Sequence, residues 1–312
     1  MGLKNLRIEI TEETGKRTVA AVVKEAAGVS HAVAKGIVDG GHVRINGRVV
    51  SAPAARVTAG DLLEAAFDTD TRYRAAPGPA RATGFKILLQ DEHLVVVEKD
   101  AGVITVPAPS HPEGSLVDLL LAWYVARGAR SPRLWVVHRI DRYTSGLVLF
   151  ARTEEASEAL AGQFERHTAR REYLALCEGI PAKPKGRLES FLEEDTRSLK
   201  VRETKRPGRG FKAVSHYQVE ESLPEAALVR VTLETGRRNQ IRVQFAGMGH
   251  PLIGDRRYGN ASPMIARVAL HAARLGFDHP HTGRPVNLES PLPTDMVKLL
   301  RRLRHSRAPL RP

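Results

Sequence analysis

From His138 to Gly146 the chain reads HRIDRYTSG, set directly between two apolar runs, LWVV and GLVLFA. An aspartate in such a place, Asp141, is expensive to bury as a charge unless a cation pairs with it. The run therefore reads as a loop at the edge or cleft of a sheet. Arg139 and Arg142 lie beside the aspartate, and a third candidate partner, Arg242, lies far along the chain in TGRRNQIRVQF. A carboxylate held ionised in a cleft can act as a nucleophile or stabilise developing positive charge. The plainer alternative is a turn aspartate with Arg142 as its surface ion pair. Tyr173 alternates with Ala175 and Cys177 in EYLALC and, taken alone, reads as core. Arg242, close to Arg237 and Arg238, taken alone reads as a solvated or phosphate-binding side chain. A serine hydrolase built on Ser145, His138 and Asp141 is too crowded on one short loop to set up a relay, and no Gly-x-Ser-x-Gly elbow surrounds Ser145. Cys177 reads as a small buried strand residue. The histidines of HPH at 279–281, with His250 and His271, match no zinc spacing, so no metal site is expected. GDRRYGN has the glycines of a phosphate loop but Asn260 where the lysine belongs.

The elements that must position these side chains run from about Phe85 to 303. KILLQDEHLVVVEKDAG reads as two short strands around an Asp91-Glu92 turn, and SLVDLLLAWYVARG as an apolar helix. LWVV, GLVLFA and EYLALC read as strands, and Thr153 as the cap of a helix with acidic residues in its first turn. ALVRVTLETG alternates Val229, Val231 and Leu233 against Leu228, Arg230 and Thr232, as a strand covered on one face does. Strands dominate and mostly neighbour one another, which predicts an α+β domain with a large mixed, mainly antiparallel sheet. Ahead of it, residues 1–67 are expected to form a small α+β domain. Val19, Val22, Val23 and Ala26 recur at helical spacing, Gly28 ends that helix and Ser30 caps the next. Asn46-Gly47 marks a hairpin turn. Residues 68–84, rich in Pro, Ala, Gly and charge, read as a linker. The tail at 304–312 continues a basic run from Lys298 and reads as a frayed helix end.

The 312 residues carry a net charge of +13. Such a surface calls for an anionic partner, most often nucleic acid. With aromatic residues at 5%, a broad base-stacking platform is not expected, and grip would come mainly from phosphate contacts. One cysteine excludes an intrachain disulfide and fits a reducing compartment. No apolar run long enough to span a bilayer and no signal-peptide core is present, so no membrane role is expected and the location is read as cytoplasmic.

HRIDRYTSGLVLFA resembles the signature of the RluA-type pseudouridine synthases, His-Arg-Leu-Asp-x-x-Thr-Ser-Gly. Four more blocks agree in order: LQDEHLVVVEKDAGVITVP, REYLAL, LETGRRNQIRVQFAGMGHPLIGDRRYG and LHAARLGFDHPHTGRPVNLESPLP. Together they cover nearly all of residues 85 to 293. GGHVRINGRVV and its surrounding elements resemble the small RNA-binding domain named for ribosomal protein S-four, also called the alpha-L motif. That resemblance implies that Ser30, His31, Lys35, Arg44 and Arg48 face structured RNA. The synthase resemblance implies that Asp141 is the essential aspartate and Arg242 its partner. It also implies that Tyr173 packs on the target base as a candidate proton acceptor, and that Arg139 fills the RNA stack when the target flips out. Arg142, Arg237 and the basic run 197–212 are further expected RNA contacts. The reaction isomerises uridine to pseudouridine without redox change, so no cofactor is expected. Large-subunit ribosomal RNA is the preferred substrate, with tRNA the nearest alternative and a monomer the default state. The rival reading is a non-catalytic RNA-binding or ribosome-assembly protein on the same fold. Two departures stand out: Asp100 where the family has proline, implying a looser turn, and Asn239 where it has histidine.

Overall fold

The computed structural model describes residues 3–39, 41–50, 52–68, 81–82, 84–108, 113–195, 200–204 and 208–305. The chain divides into two compact units, Met1–Gly78 and Pro79–Pro312. Most of the expected linker, at 69–80, lies outside the described residues, as do Arg197, Lys205 and Arg206 of the basic run and residues 306–312 of the tail.

The first unit contains β1 (Leu3–Glu9), α1 (Val19–Ala27), α2 (His31–Asp39), β2 (Val43–Ile45), β3 (Arg48–Val49) and β4 (Leu62–Asp68). Thr18 caps α1 by accepting from the Ala21 N–H, and Gly28 closes it at φ 68°. Val19, Val22 and Val23 are buried as their spacing predicts, but Ala27 rather than Ala26 completes the inward face. Ser30 accepts from the Val33 N–H at 3.3 Å, so its hydroxyl is engaged in starting α2. Asn46 and Gly47 both have positive φ, 51° and 77°, the backbone that a two-residue hairpin needs. The sheet runs β1-β4-β2-β3. Its β1 was not foreseen, because LKNLRIE carries too few apolar residues to stand out.

The second unit contains β5 (Arg81–Ala82), β6 (Phe85–Gln90), β7 (Leu94–Lys99), α3 (Leu116–Val125), β8 (Trp135–Val136), β9 (Ser145–Ala151), α4 (Glu154–Glu165) and β10 (Arg170–Glu178). It continues with β11 (Lys185–Glu194), β12 (Val201–Thr204), β13 (Phe211–Ser222), β14 (Ala226–Leu233), α5 (Gln240–Gly247), β15 (Leu270–Asp278), β16 (Pro285–Glu289) and α6 (Thr294–His305). Among the described residues these strands form one sheet in the order β12-β11-β13-β14-β10-β15-β9-β7-β6-β5, with β16 on β15 and β8 on β9. Arg81 and Ala82, placed in the linker by composition, belong to the sheet: Arg81 registers with Lys86 and Ala82 with Phe85.

Both faces of the sheet's centre are covered. Tyr173, Ala175, Val229 and Val231 join Phe245 of α5 in one core. Leu176 and Leu228, on the opposite face, pack under Met296, Leu299, Leu300 and Leu303 of α6. Thus β14 is not covered on one face alone. Arg304 and His305 continue α6, which is a packing helix rather than a frayed end, and Arg304 pairs with Glu221.

All seven residues of β9 are buried. Its contact with β15 is parallel and only two residues long, Ser145 with His271 and Gly146 with Ala272. Gly146 makes this approach possible: a Cβ there would stand 2.2 Å from the Ala272 carbonyl oxygen. The Ser145 hydroxyl lies 2.9 Å from His271 Nδ1, and His271 Nε2 lies 3.2 Å from the Ser290 carbonyl. A carbonyl can only accept, so Nε2 carries the proton and Nδ1 accepts from Ser145. Ser145 is thereby committed to pinning the start of β9, immediately after the Asp141 loop.

Candidate active site

Asp141 lies in the loop between β8 and β9, and Arg242 on α5 reaches it. Arg242 Nη1 donates to Asp141 Oδ2 at 3.0 Å. The same guanidinium forks onto Asp255, with Nε to Oδ2 at 2.7 Å and Nη2 to Oδ1 at 2.8 Å. The Asp255 side chain is fully buried and also accepts from the N–H groups of Arg257 and Tyr258. Nη1 makes a second bond, to Asn239 Oδ1 at 3.0 Å, while the Asn239 amide donates to the Tyr258 hydroxyl. Burial alone would lower the guanidinium pKa, but the Asp255 and Asp141 carboxylates outweigh it and raise it. Asp141 therefore faces a cation whose orientation is set from behind.

The Asp141–Arg242 pair borders two cavities. One, of about 620 Å³, is walled by Tyr173, Arg171, Leu233, Ile241 and Leu270. The other, of about 410 Å³, is lined by Arg142, Arg238, Arg256, Arg257 and Arg267. Arg139 is exposed and borders both. The first falls in the size range of small-molecule sites. Burial pushes the Tyr173 phenol up to about 12, with Arg171 opposing that rise and Asp141 adding to it. It is a neutral phenol at ordinary pH. Desolvation, reinforced by Arg171, pushes His138 down to about 3, and its Nε2 accepts from the Leu149 N–H, so it is a neutral acceptor. Burial pushes the Cys177 thiol up to about 12, as expected of an inert strand residue.

Lys99, fully buried, donates to the carbonyls of Asp100, Val103 and Arg142 at 2.9, 2.7 and 3.1 Å. Burial lowers its ammonium to about 7, against the raising influence of Asp141. The Gly102 N–H also donates to the Arg142 carbonyl. The turn at Asp100 is thus tied to the Asp141 loop by the Lys99 and Gly102 hydrogen bonds.

The chain matches the RNA pseudouridylate synthase family over residues 93–247 and the S4 domain over residues 20–63. It is 34% identical to ribosomal large subunit pseudouridine synthase D of Zymomonas mobilis, over 95% of this chain and 97% of that one. It is 36% identical to the uncharacterized RNA pseudouridine synthase YlyB of Bacillus subtilis, over 85% of this chain and 86% of that one. The solved structure titled human RNA pseudouridylate synthase domain containing 4 superposes with a TM-score of 0.59 at 25% identity, over 70% of this chain and 92% of that one. This chain is a member of the RNA pseudouridylate synthase family.

Of the residues singled out in this synthase, Asp141, Tyr173, Arg242, Arg139 and Arg237 border one cavity. Arg142 borders the neighbouring one, and its Nε donates to the Gly102 carbonyl, not to Asp141. Arg237 donates to the Lys212 carbonyl and lies over the exposed Phe211 ring. In the first unit, His31, Arg44 and Arg48 are exposed and Lys35 is half-buried. Arg44 registers with Val49, and Arg48 with Ile45, so the two arginines leave opposite faces of the hairpin. Asp255 and Arg171 were missed. Asp255 stands in GDRRYGN, inside one of the blocks that carry the family resemblance, but neither that resemblance nor the phosphate-loop comparison gave the aspartate a role.

Proposed function

We propose that this synthase isomerises uridine in large-subunit ribosomal RNA, with Asp141 at the reacting bond. The observation that carries the residue assignment is the Asp141 carboxylate held 3.0 Å from a pre-oriented Arg242 in the lining of a cavity also walled by Tyr173. The substrate assignment is supported by the similarity to the ribosomal large subunit pseudouridine synthase D of Zymomonas mobilis. A base within an RNA helix is out of reach, so the target nucleotide turns out of its stack. Arg139, exposed at the rim, occupies the vacated space with its planar cation. The uracil packs on Tyr173. Arg242 holds the Asp141 carboxylate in place through its 3.0 Å hydrogen bond, and Asp141 acts at C1′ of the ribose as the bond to N1 breaks. The uracil then turns and rejoins through C5, which loses its proton. Ser30, His31, Lys35, Arg44 and Arg48 of the first unit, together with Arg142, Arg237 and the basic run 197–212, contact the RNA backbone. The division into 1–67, linker, catalytic domain to about 303 and tail, a monomeric state and a cytoplasmic location belong to the same proposal. Among the described residues no helix is long and apolar enough to cross a membrane.

The test maps pseudouridines in total RNA from cells with the protein, without it, and with Asp141→Ala. Loss of one or more large-subunit sites in the last two is expected. Retention with Asp141→Ala overturns the residue assignment, and loss confined to tRNA overturns the substrate.

A further inference from the structure

Arg171 of β10 is 8% exposed and makes no ion pair with any described carboxylate. Burying a lone cation is costly, and the usual remedy is an acidic partner. Arg171 has instead one hydrogen bond, from Nη2 to the Glu234 carbonyl at 3.2 Å, and the face of Phe164 at 5.2 Å. Its Nε is buried without a partner. Desolvation lowers its pKa. Burial alternates along β10, so Arg171 and Tyr173 share a face, and both wall the cavity that Asp141 borders. Space for the guanidinium is kept by Gly236, where a Cβ would stand 2.5 Å from Arg171 Nη1. An under-satisfied cation lining the same cavity as the Asp141 carboxylate has spare capacity for charge that arises only during the reaction.

Such charge does arise. When the bond between C1′ and N1 breaks, its electron pair leaves with N1. The uracil becomes an anion, its charge spread over N1, O2 and O4. The electron deficit stays at C1′, opposite Asp141. When C5 bonds to C1′, the ring supplies the pair, C5 loses its proton and N1 gains one. The sum is an isomerisation, and the anion exists only between the two steps.

We infer that Arg171 is a catalytic residue whose guanidinium stabilises the detached uracil anion while it turns. This rests on the proposed reaction at Asp141. Arg242 is already bonded to two carboxylates and an amide oxygen, so the two arginines divide the work between sugar and base.

The test uses full-length protein and an in-vitro transcript of large-subunit ribosomal RNA, made with uridine or with 5-fluorouridine. Fluorine stabilises the ring anion, so it lessens the need for Arg171. Single-turnover loss of the parent nucleoside is followed by chromatography, alongside RNA affinity and thermal midpoint. Arg171→Met is expected to slow the uridine transcript about 100-fold, and the fluorinated one by a factor at least several times smaller. Arg171→Lys, which keeps the charge, is expected to fall between. Gly236→Ala displaces the guanidinium without removing it, and is expected to show the same selectivity at unchanged thermal midpoint. Equal losses on both transcripts, or losses that track RNA affinity or thermal midpoint, overturn the inference. A wild type that converts no uridine overturns the reaction beneath it, a distinguishable result.

Discussion

Two arginines line the same cavity and are held in opposite ways. Arg242 has four of its five N–H donors engaged before substrate arrives: Asp255 takes two, and Asp141 and Asn239 take the two on a third nitrogen. Arg171 has a carbonyl, a ring face and an unpartnered Nε. A cation largely taken up by fixed acceptors holds a geometry, whereas an under-satisfied one keeps the capacity to answer a new charge. The difference shows which cation serves the carboxylate and which is left for the ligand.

The sharpest way to break this comparison is stability. Arg242→Met strands the fully buried Asp255 carboxylate and should cost about 3–5 kcal/mol in urea unfolding, the penalty for breaking a buried pair. Arg171→Met strands no carboxylate, and replaces a poorly compensated cation by an apolar chain. It should cost far less, or stabilise, as such replacements do. Equal costs for the two would mean that Arg171 has an acidic counterpart after all.

Acid titration gives a smaller effect, at one histidine of that cavity and one behind it in the sheet. The folded pKa values of His138 and His271, about 3 and about 4, lie below the unfolded value near 6.5. Below pH 6.5 the unfolded chain takes up protons at both and the folded chain does not. Stability should therefore fall as the pH drops from 6.5 to 5, by up to about 1.4 kcal/mol per unit for each histidine. Arg171 adds to the lowering at His138. In Arg171→Met the folded His138 pKa should rise, so that the acid loss levels off at a higher pH. A urea midpoint that does not move between pH 6.5 and 5 would rule out neutral, desolvated histidines here.

The two arginines were unequally legible in the sequence. Asp141 was conspicuous because a charge between two apolar strands needs a partner, and Arg242 was among the candidates for that reason. The spacing of Tyr173, Ala175 and Cys177 pointed to one face of a strand, and β10 has it. Arg171 obeys the same alternation, but strand period alone does not say whether an arginine two residues from a tyrosine points into a core or snorkels out. That depends on Gly236 and Phe164, which come from other elements. Asp255 was hidden because its burial exists only where the segment after α5 folds back onto that helix. The inner face of α6 was legible in principle, since Met296, Leu299, Leu300 and Leu303 repeat at helical spacing. The arginines on its outer face drew the reading towards a basic tail.

The smallest effect separates backbone from side chain at the residue that helps to hold Arg242. Asn239 has φ 53°, the left-handed region that asparagine tolerates better than most residues. Its side chain also bridges Arg242 and Tyr258. Asn239→Gly keeps the backbone relaxed and deletes the bridge, whereas Asn239→Ala deletes the bridge and adds strain of about 1 kcal/mol. The two variants should differ in thermal stability by that amount, with alanine the weaker. Their catalytic rates should fall equally, because both leave Arg242 Nη1 with Asp141 as its remaining acceptor. If glycine restored the rate, Asn239 would matter only through its backbone, and Arg242 would be oriented by Asp255 alone.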